Sequence, residues 1–167
     1  MTDYISDTNI VTPTDWEQQK TMIKVIGVGG GGCNAVTYMY RQKIQGCGFI
    51  VCNTDSQALF KSDVPIKLQL GNGLGAGTDP DVARKAAIDS QDEILARITE
   101  GGTRVLFITA GRGGGTGTGA SPVIARLAKE NGILTVAVVT LPFRNEGRLA
   151  LSKAADGIHE LERNVDS

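Results

Sequence analysis

Three glycine-rich segments contain the residues best suited to binding a ligand. They span residues 29–32, 72–78 and 111–121, and the longest reads GRGGGTGTGAS. Glycine allows the backbone to enter left-handed and crowded conformations, so that successive N–H groups can surround an anion. The hydroxyl groups of Thr116 and Thr118 could add donors. The chemistry that this pattern predicts is the binding of phosphate groups without a lysine.

Several other classes of site lack support in the composition. No G-x-x-x-x-G-K-[ST] run occurs, so a P-loop kinase or ATPase is not expected. Cys33, Cys47 and Cys52 lack C-x-x-C spacing and are accompanied by one histidine, which disfavours both a zinc site and a disulfide framework. This cysteine usage fits a reducing cytoplasm best.

The charge and hydropathy of the chain restrict its partners. With 17 basic and 18 acidic residues the net charge is -1, and nothing predicts a basic face for nucleic acid. No apolar run approaches the ~18–20 residues of a membrane span, so direct membrane insertion is not expected. A nucleic-acid partner is likewise not predicted.

Alternating strands and helices position the glycine segments. Apolar runs predict strands at residues 22–28, 49–52, 66–70, 105–110 and 134–140, the third being an exposed edge and the last a buried strand. Helices are predicted to about Gln42, from Asp79-Pro80 to Glu100, across residues 121–129 and from about Glu146 onward. The fold class is therefore α/β, a doubly wound, mostly parallel, Rossmann-like sheet, with its ligand beyond the carboxyl ends of the strands.

The chain divides into a tail and one domain. Residues 1–21 are polar, lack periodicity and contain Pro13, which predicts a flexible N-terminal tail. Residues 22–167 form the single predicted domain, a nucleotide-binding one. All three glycine segments fall at the predicted carboxyl edge of its sheet, which indicates one phosphate-rich ligand.

The first glycine segment leaves alternatives open. Its spacing, Gly27-x-Gly29-x-x-Gly32, matches the dinucleotide fingerprint, and Asp55 lies near where a ribose-binding acid is expected. That reading predicts an NAD-binding Rossmann domain. Four consecutive glycines, a second strand that ends in Asn53, and two further glycine loops count against it. A purely structural reading, in which the glycines only form tight turns, leaves their number unexplained.

The glycine segments together resemble the tubulin/FtsZ family of GTPases. The motifs that carry this resemblance are GGGTGTG at residues 113–119, GGGG-x-N at 29–34, NTD at 53–55, GLGAG at 73–77 and PF-x-x-EGR at 142–148. The resemblance covers about residues 23–167 and implies GTP or GDP as ligand, with Mg2+. It also implies head-to-tail self-association into filaments in the full-length protein, GTP hydrolysis between subunits, partners among cell-division proteins and a cytoplasmic location at the division ring.

The resemblance assigns a set of residues to the nucleotide. Asp55 would approach the metal and phosphates, with any contact to Mg2+ made through water, and no direct metal ligand is implied. Ala76 and Gly77 would offer N–H groups to the γ-phosphate, and Glu146 would bind the ribose hydroxyls. The full set is Gly30, Gly31, Gly32, Asn34, Asp55, Ala76, Gly77, Thr78, Gly113, Gly114, Gly115, Thr116, Gly117, Thr118, Glu146 and Arg148.

Several of these assignments have simpler rivals. Asp55 could be only a helix cap, Asn34 only a turn or helix-end donor, and Glu146 only a first-turn acid favoured by the helix dipole. Thr118 could satisfy the backbone instead of the ligand. The chain also departs from the family at Arg112, where the family usually has Met.

The resemblance further implies parts that the sequence does not contain. In the family, a central helix and a C-terminal domain complete the site, and acidic residues of a neighbouring subunit position the attacking water. No catalytic residue is therefore expected within the chain, which is predicted to bind nucleotide and to hydrolyse it negligibly alone. An interaction module that caps a filament end is the alternative.

Overall fold

A five-stranded parallel sheet forms the centre of the computed structural model, which describes residues 22–167. The predicted tail, residues 1–21, lies outside the described residues. All strand pairings are parallel, and the order across the sheet is β3-β2-β1-β4-β5. The strands are β1 (Ile23–Val28), β2 (Gly48–Asn53), β3 (Lys67–Gln69), β4 (Val105–Gly111) and β5 (Leu134–Thr140).

Helices cover both faces of this sheet. They are α1 (Gly29–Arg41), α2 (Ser56–Phe60), α3 (Pro80–Asp89), α4 (Gln91–Thr99), α5 (Gly115–Glu130) and α6 (Arg148–Glu162), with a short 3-10 helix at Arg144–Glu146. Alternate strand residues point into two separate cores, as the two-residue period of a strand requires. Val25 and Val51 pack with α1 and α2, whereas Ile26 and Ile50 pack with α4, α5 and α6. The predicted doubly wound α/β fold is confirmed.

The strand order reverses direction between β1 and β4. The chain moves outward from β1 through β2 to β3, returns so that β4 pairs with β1, and then continues to β5. In open α/β sheets, a ligand binds at the carboxyl ends of the strands where such a reversal occurs. The fold therefore places a binding crevice beyond Val28 and Gly111.

The helix predicted across residues 121–129 starts earlier. In the structure α5 begins at Gly115, so most of the predicted glycine loop forms the first turns of a helix. Glycine is a poor helix former, but it allows close approach of backbones. A Cβ on Gly119 would collide with the carbonyl oxygen of Pro80 at the start of α3. Tertiary packing thus outweighs helix propensity here.

The helix predicted from Asp79 to Glu100 is two helices. Asp79 caps α3 through a hydrogen bond from the N–H of Asp81 to Oδ1 of 2.9 Å, as expected, and Pro80 occupies the first turn. The helix then breaks at Ser90, whose φ of -102° and ψ of 13° lie outside the helical region. Serine competes with the backbone for hydrogen bonds in a helix interior, which makes it a suitable break point.

The prediction that β5 is a buried strand is wrong for the described residues. The strand pairs with β4 along one side and ends the sheet, and Leu134 and Val138 are 52% and 58% exposed. An apolar run signals burial on both faces but carries no information about the position of a strand within a sheet. The expected edge position of β3 is confirmed.

The cysteine thiols are free and mostly buried. Cys33 and Cys52 are buried and Cys47 is half-buried. Burial raises the pKa of Cys33 to about 11 and raises the pKa of Cys52 well above its usual value. Both thiols are therefore protonated at neutral pH.

Candidate functional site

A cleft of about 650 Å³ lies at the carboxyl ends of the strands, where the strand order reverses. Segments that follow β1, β2, β4 and β5 line it, together with residues 74–77. Among the predicted site residues, those that line the cleft are Gly30, Gly31, Asp55, Ala76, Gly77, Gly113, Gly114, Gly115, Thr116, Gly117 and Glu146. The fold thus brings all three glycine-rich segments to one place.

The N-termini of two helices meet at this cleft. The first turns of α1 and α5 line it, and their N-caps, Val28 and Gly114, make no side-chain capping hydrogen bond. The helices α2 and α3, in contrast, are capped by Asp55 and Asp79. Because the first N–H groups of a helix have no intrahelical partner, uncapped N-termini present free donors and the positive end of the helix dipole. This arrangement favours an anion, and phosphate in particular.

The glycines around the cleft serve two different purposes. At Gly30, Gly77 and Gly114, a Cβ would meet no heavy atom of residues 22–167 within 4 Å, so the space beside these glycines is open. At Gly32, a Cβ would collide with the carbonyl oxygen of Thr109 in β4. The first set leaves room for a ligand against the backbone, and Gly32 allows α1 to pack closely on the sheet.

The two carboxylate oxygens of Asp55 are used differently. Its Oδ1 accepts hydrogen bonds from the N–H groups of Gln57 at 2.9 Å and Ala58 at 3.2 Å, which caps α2. Its Oδ2 makes no hydrogen bond with the part of the chain that the structure describes. Asp55 therefore does cap α2, and one carboxylate oxygen stays available at the cleft.

A pair of threonines connects the second strand to the glycine-rich helix. Thr54, directly after β2, and Thr116, in the first turn of α5, share a hydrogen bond of 2.7 Å between their Oγ1 atoms. Both side chains are buried. This bond fixes the distance between two sides of the cleft.

Glu146 lies at the opposite rim and is exposed. Its Oε1 accepts a hydrogen bond of 2.8 Å from the N–H of Phe143, within the 3-10 helix region. Its Oε2 would be 3.7 Å from a Cβ on Gly113, which places the carboxylate beside the glycine-rich segment. A carboxylate in this position can accept hydrogen bonds from hydroxyl groups of a ligand.

Some predicted site residues lie outside the cleft lining. These are Gly32, Asn34, Thr78, Thr118 and Arg148. The Thr118 hydroxyl donates to the carbonyl oxygen of Arg112 at 3.0 Å, so it satisfies the backbone, as the simpler interpretation held. Asn34 and Arg148 are exposed on α1 and α6.

Other lining residues are absent from the sequence-based set. Asn53 and Thr54 lie at the end of β2, and Thr140, Leu141 and Pro142 lie at the end of β5. The rule that ligands lie beyond the carboxyl ends of parallel strands could have found both groups. The sequence motifs point instead to the glycine-rich segments, Asp55 and Glu146.

The described cleft lining contains no lysine or histidine, and its arginine is engaged elsewhere. The Arg112 side chain is 0% exposed and donates to backbone and hydroxyl oxygens. Burial lowers the pKa of Arg112 to about 10, while the charge of Glu160 raises it. No group of three or more His, Cys, Asp or Glu side chains suited to a metal occurs within residues 22–167. Positive potential in the cleft thus comes mainly from backbone N–H groups.

Comparison with known proteins agrees with this geometry. The family described as "Tubulin/FtsZ family, GTPase domain" matches residues 22–167. The chain belongs to the Tubulin/FtsZ family. A curated relative, the cell division protein FtsZ of Porphyromonas gingivalis, is 54% identical over 150 residues, which cover 87% of this chain and 33% of the relative. FtsZ of Coxiella burnetii is 54% identical over 153 residues, covering 89% of this chain and 39% of that protein.

Solved structures of the family show the same fold. An M. jannaschii structure titled as an empty FtsZ dimer has a TM-score of 0.84 and 40% identity, covering 93% of this chain and 48% of that one. The chain thus spans less than half the length of these family members.

No helix among residues 22–167 has the length and apolar character needed to span a membrane.

Proposed function

We propose that the cleft is the site at which a filament-forming, FtsZ-like cell-division GTPase binds GTP and GDP. The observation that carries this proposal is the meeting of two uncapped helix N-termini beside open glycine backbone, at the reversal of the strand order. Two such N-termini suit a chain of phosphates better than a single phosphate. Membership of the Tubulin/FtsZ family supports guanine nucleotides as the ligands.

The lining residues suggest how the nucleotide is held. The N–H groups of Gly30, Gly31 and the first turn of α5 would surround the phosphates, and Ala76 with Gly77 would approach the terminal one. Gly77 has φ of +58° and open space beside it, which suits close contact between its backbone and a phosphate. Glu146 would accept hydrogen bonds from the ribose hydroxyls.

The donor set also fits Mg2+. This ion prefers octahedral oxygen ligands, keeps several waters and is usually held by one or two carboxylates together with substrate phosphates. The free Oδ2 of Asp55 would meet that need through a bound water. When bound, Mg2+ would neutralise part of the phosphate charge.

The whole protein would do more than this chain. We propose that it associates head to tail into filaments at the cytoplasmic division site, with other cell-division proteins as partners, and that acidic residues of a neighbouring subunit position the attacking water. The empty FtsZ dimer among the similar structures supports self-association. The two carboxylates that line the described cleft, Asp55 and Glu146, each use one oxygen for a backbone N–H. Because the residues that position the attacking water would come from a neighbouring subunit, the chain alone is expected to hydrolyse GTP negligibly.

A nucleotide titration tests the binding proposal. GTP, GDP, ATP, NAD and guanosine are titrated with and without Mg2+, and GTP and GDP are expected to bind most tightly. Tighter binding of NAD would point to a dinucleotide site. Guanosine binding as tight as GTP binding would rule out phosphate recognition.

Asp55→Asn provides a matched variant for the metal. Asparagine caps helices as well as aspartate does, so α2 should remain intact while the charge is lost. The strengthening of GTP binding by Mg2+ is expected to shrink, with the thermal midpoint unchanged. Rapid GTP hydrolysis by the chain alone, unaffected by Asp55→Asn, would contradict the assignment of catalysis to a neighbouring subunit.

A further inference from the structure

Arg112 stands directly before the glycine-rich start of α5, and its side chain is completely buried. Its Nη1 donates to the carbonyl oxygen of Gly117 at 2.8 Å and to Oγ of Ser121 at 2.6 Å. Its Nη2 donates to the carbonyl oxygen of Gly157 in α6. These acceptors belong to α5 and α6, so one side chain connects both helices.

The backbone of Arg112 is tied down as well. Its N–H donates to the carbonyl oxygen of Thr140 at 2.9 Å, and its own carbonyl accepts from the Thr118 hydroxyl at 3.0 Å. Ser121 Oγ in turn donates to Gly117 at 2.5 Å. Residues 113–117 therefore lie between two fixed points. One is the anchored backbone of Arg112, and the other is Gly117, whose carbonyl oxygen accepts a hydrogen bond from the Arg112 side chain.

This arrangement is costly by ordinary criteria. No carboxylate of residues 22–167 forms an ion pair with Arg112, and its Nε is buried without a hydrogen-bond partner among the same residues. Burying a charged group without a paired countercharge is unfavourable. An apolar side chain of similar length would fill the space without that penalty. An apolar side chain could not, however, form the hydrogen bonds that the guanidinium makes to the glycine segment.

The segment it holds is rich in glycine. Four of the five residues 113–117 are glycines, the residue with the most backbone freedom to lose on ordering. Four of these five N–H groups, those of residues 114–117, lie at or next to the uncapped N-terminus of α5. Holding them in place before a ligand arrives removes an ordering cost from binding.

We infer that Arg112 is a positioning residue for phosphate recognition. Its hydrogen bonds hold the N–H groups of residues 113–117 in the arrangement that receives the phosphates. The side chain does not reach the ligand and acts through Gly117 and Ser121. This inference rests on the proposed nucleotide function of the cleft.

The test compares Arg112→Met with Arg84→Met. Arg84 is a matched control because it also joins two helices, donating to Asp81 and Glu160, and also has a buried Nε without a partner among the described residues. It does not line the cleft. Affinities for GTP, GDP, GMP and guanosine are measured for both variants and for the unaltered chain.

Arg112→Met is expected to weaken GTP binding by about tenfold, because ordering residues 113–117 would then oppose binding, and to leave guanosine binding unchanged. Arg84→Met is expected to lower the thermal midpoint without changing the ratio of GTP to guanosine affinity. Amide exchange in residues 113–117 of the ligand-free chain should accelerate in Arg112→Met alone. A purely structural role would change stability in both variants and neither of the other two measurements.

The outcomes separate this inference from the function on which it rests. If the unaltered chain fails to bind GTP, the proposed function is wrong. If it binds GTP and Arg112→Met keeps both the affinity ratio and the slow amide exchange, the inference is wrong. Ser121→Ala is the second variant for the case in which Arg112→Met does not fold, and a smaller loss in the same direction is expected. An unchanged affinity ratio in Ser121→Ala would then overturn the inference.

Discussion

A single methyl group at Gly30 should affect stability and ligand binding in opposite directions. Gly30 is the second residue of α1 and lines the cleft, and its φ is not in the left-handed region. A Cβ there meets no heavy atom of residues 22–167 within 4 Å, so Gly30→Ala introduces no clash. Because Cα–Cβ bonds in a helix tilt toward its N-terminus, the methyl group would stand beside the free N–H groups.

The magnitudes follow from this geometry. Alanine is preferred over glycine in a helix by up to about 1 kcal/mol, which corresponds to a rise of roughly 2–4 °C in Tm for a domain of this size. A phosphate oxygen must come within ~3 Å of an N–H donor, and the methyl group prevents that approach. Losing one such charged hydrogen bond costs ~1.5–3 kcal/mol, equivalent to GTP binding that is about 10- to 150-fold weaker.

The assay pairs thermal unfolding with a GTP titration, and Gly32→Ala is the matched control in the same helix. A Cβ on Gly32 would collide with the carbonyl oxygen of Thr109, so this variant should lose ~1–3 kcal/mol of stability or more. If Gly30→Ala is stabilised and still binds GTP as tightly as the unaltered chain, the phosphates do not approach the backbone beside Gly30. Destabilisation by Gly30→Ala as large as that by Gly32→Ala would refute the distinction between open and packed glycines.

Three further predictions concern the walls and core of the domain. Thr54→Val leaves the buried Thr116 hydroxyl without its partner and should cost ~1–3 kcal/mol in urea unfolding, with weaker GTP binding; unchanged unfolding would show that the bond contributes nothing. Burial raises the pKa of Cys33 from 9.0 to about 11, so the native state keeps a proton that the unfolded state loses. This difference contributes at most roughly 3 kcal/mol to the free energy of unfolding; the contribution is present below pH 9 and is lost as the pH rises toward 11. In Cys33→Ala, the free energy of unfolding should therefore fall less over this pH range. Glu146→Gln keeps an acceptor for the Phe143 N–H but should reduce the preference for GTP over 2′-deoxy-GTP by roughly tenfold, measured by competition; an undiminished preference would remove Glu146 from the ribose site.

The strands and the edge of the sheet that carries the cleft could be predicted from local patterns. Apolar runs before glycine mark β1 and β4, because a strand covered on both faces needs apolar side chains on both. The break at Ser90 and the early start of α5 at Gly115 could not, because each depends on packing between segments distant in sequence. The close approach of the Pro80 carbonyl requires glycine at position 119 inside α5, and no local propensity reports such an approach.

The site was predictable in outline and less so in its details. Glycine clusters at strand ends identified the backbone that lines the cleft, whereas the hydrogen bond between Thr54 and Thr116 joins residues that only the sheet brings together. Arg112 is the clearest example. Beside a glycine run, an arginine suggests an exposed cation, but its acceptors on Gly117, Ser121 and Gly157 bury it completely.

The pairing of β1 with β4 has a consequence for when the cleft forms during folding. Val28 pairs with Ala110, so the two helix N-termini that form the cleft meet only after the intervening strands and helices have been enclosed in a long loop. Closing such a loop is entropically costly, and contacts between residues distant in sequence slow folding. A partly folded chain presents one N-terminus and not the pair, and nucleotide at 100 times its Kd would therefore stabilise the finished sheet by ~2.7 kcal/mol over every earlier form. Nucleotide bound in the cleft, as proposed above, would thus favour chains whose folding is complete.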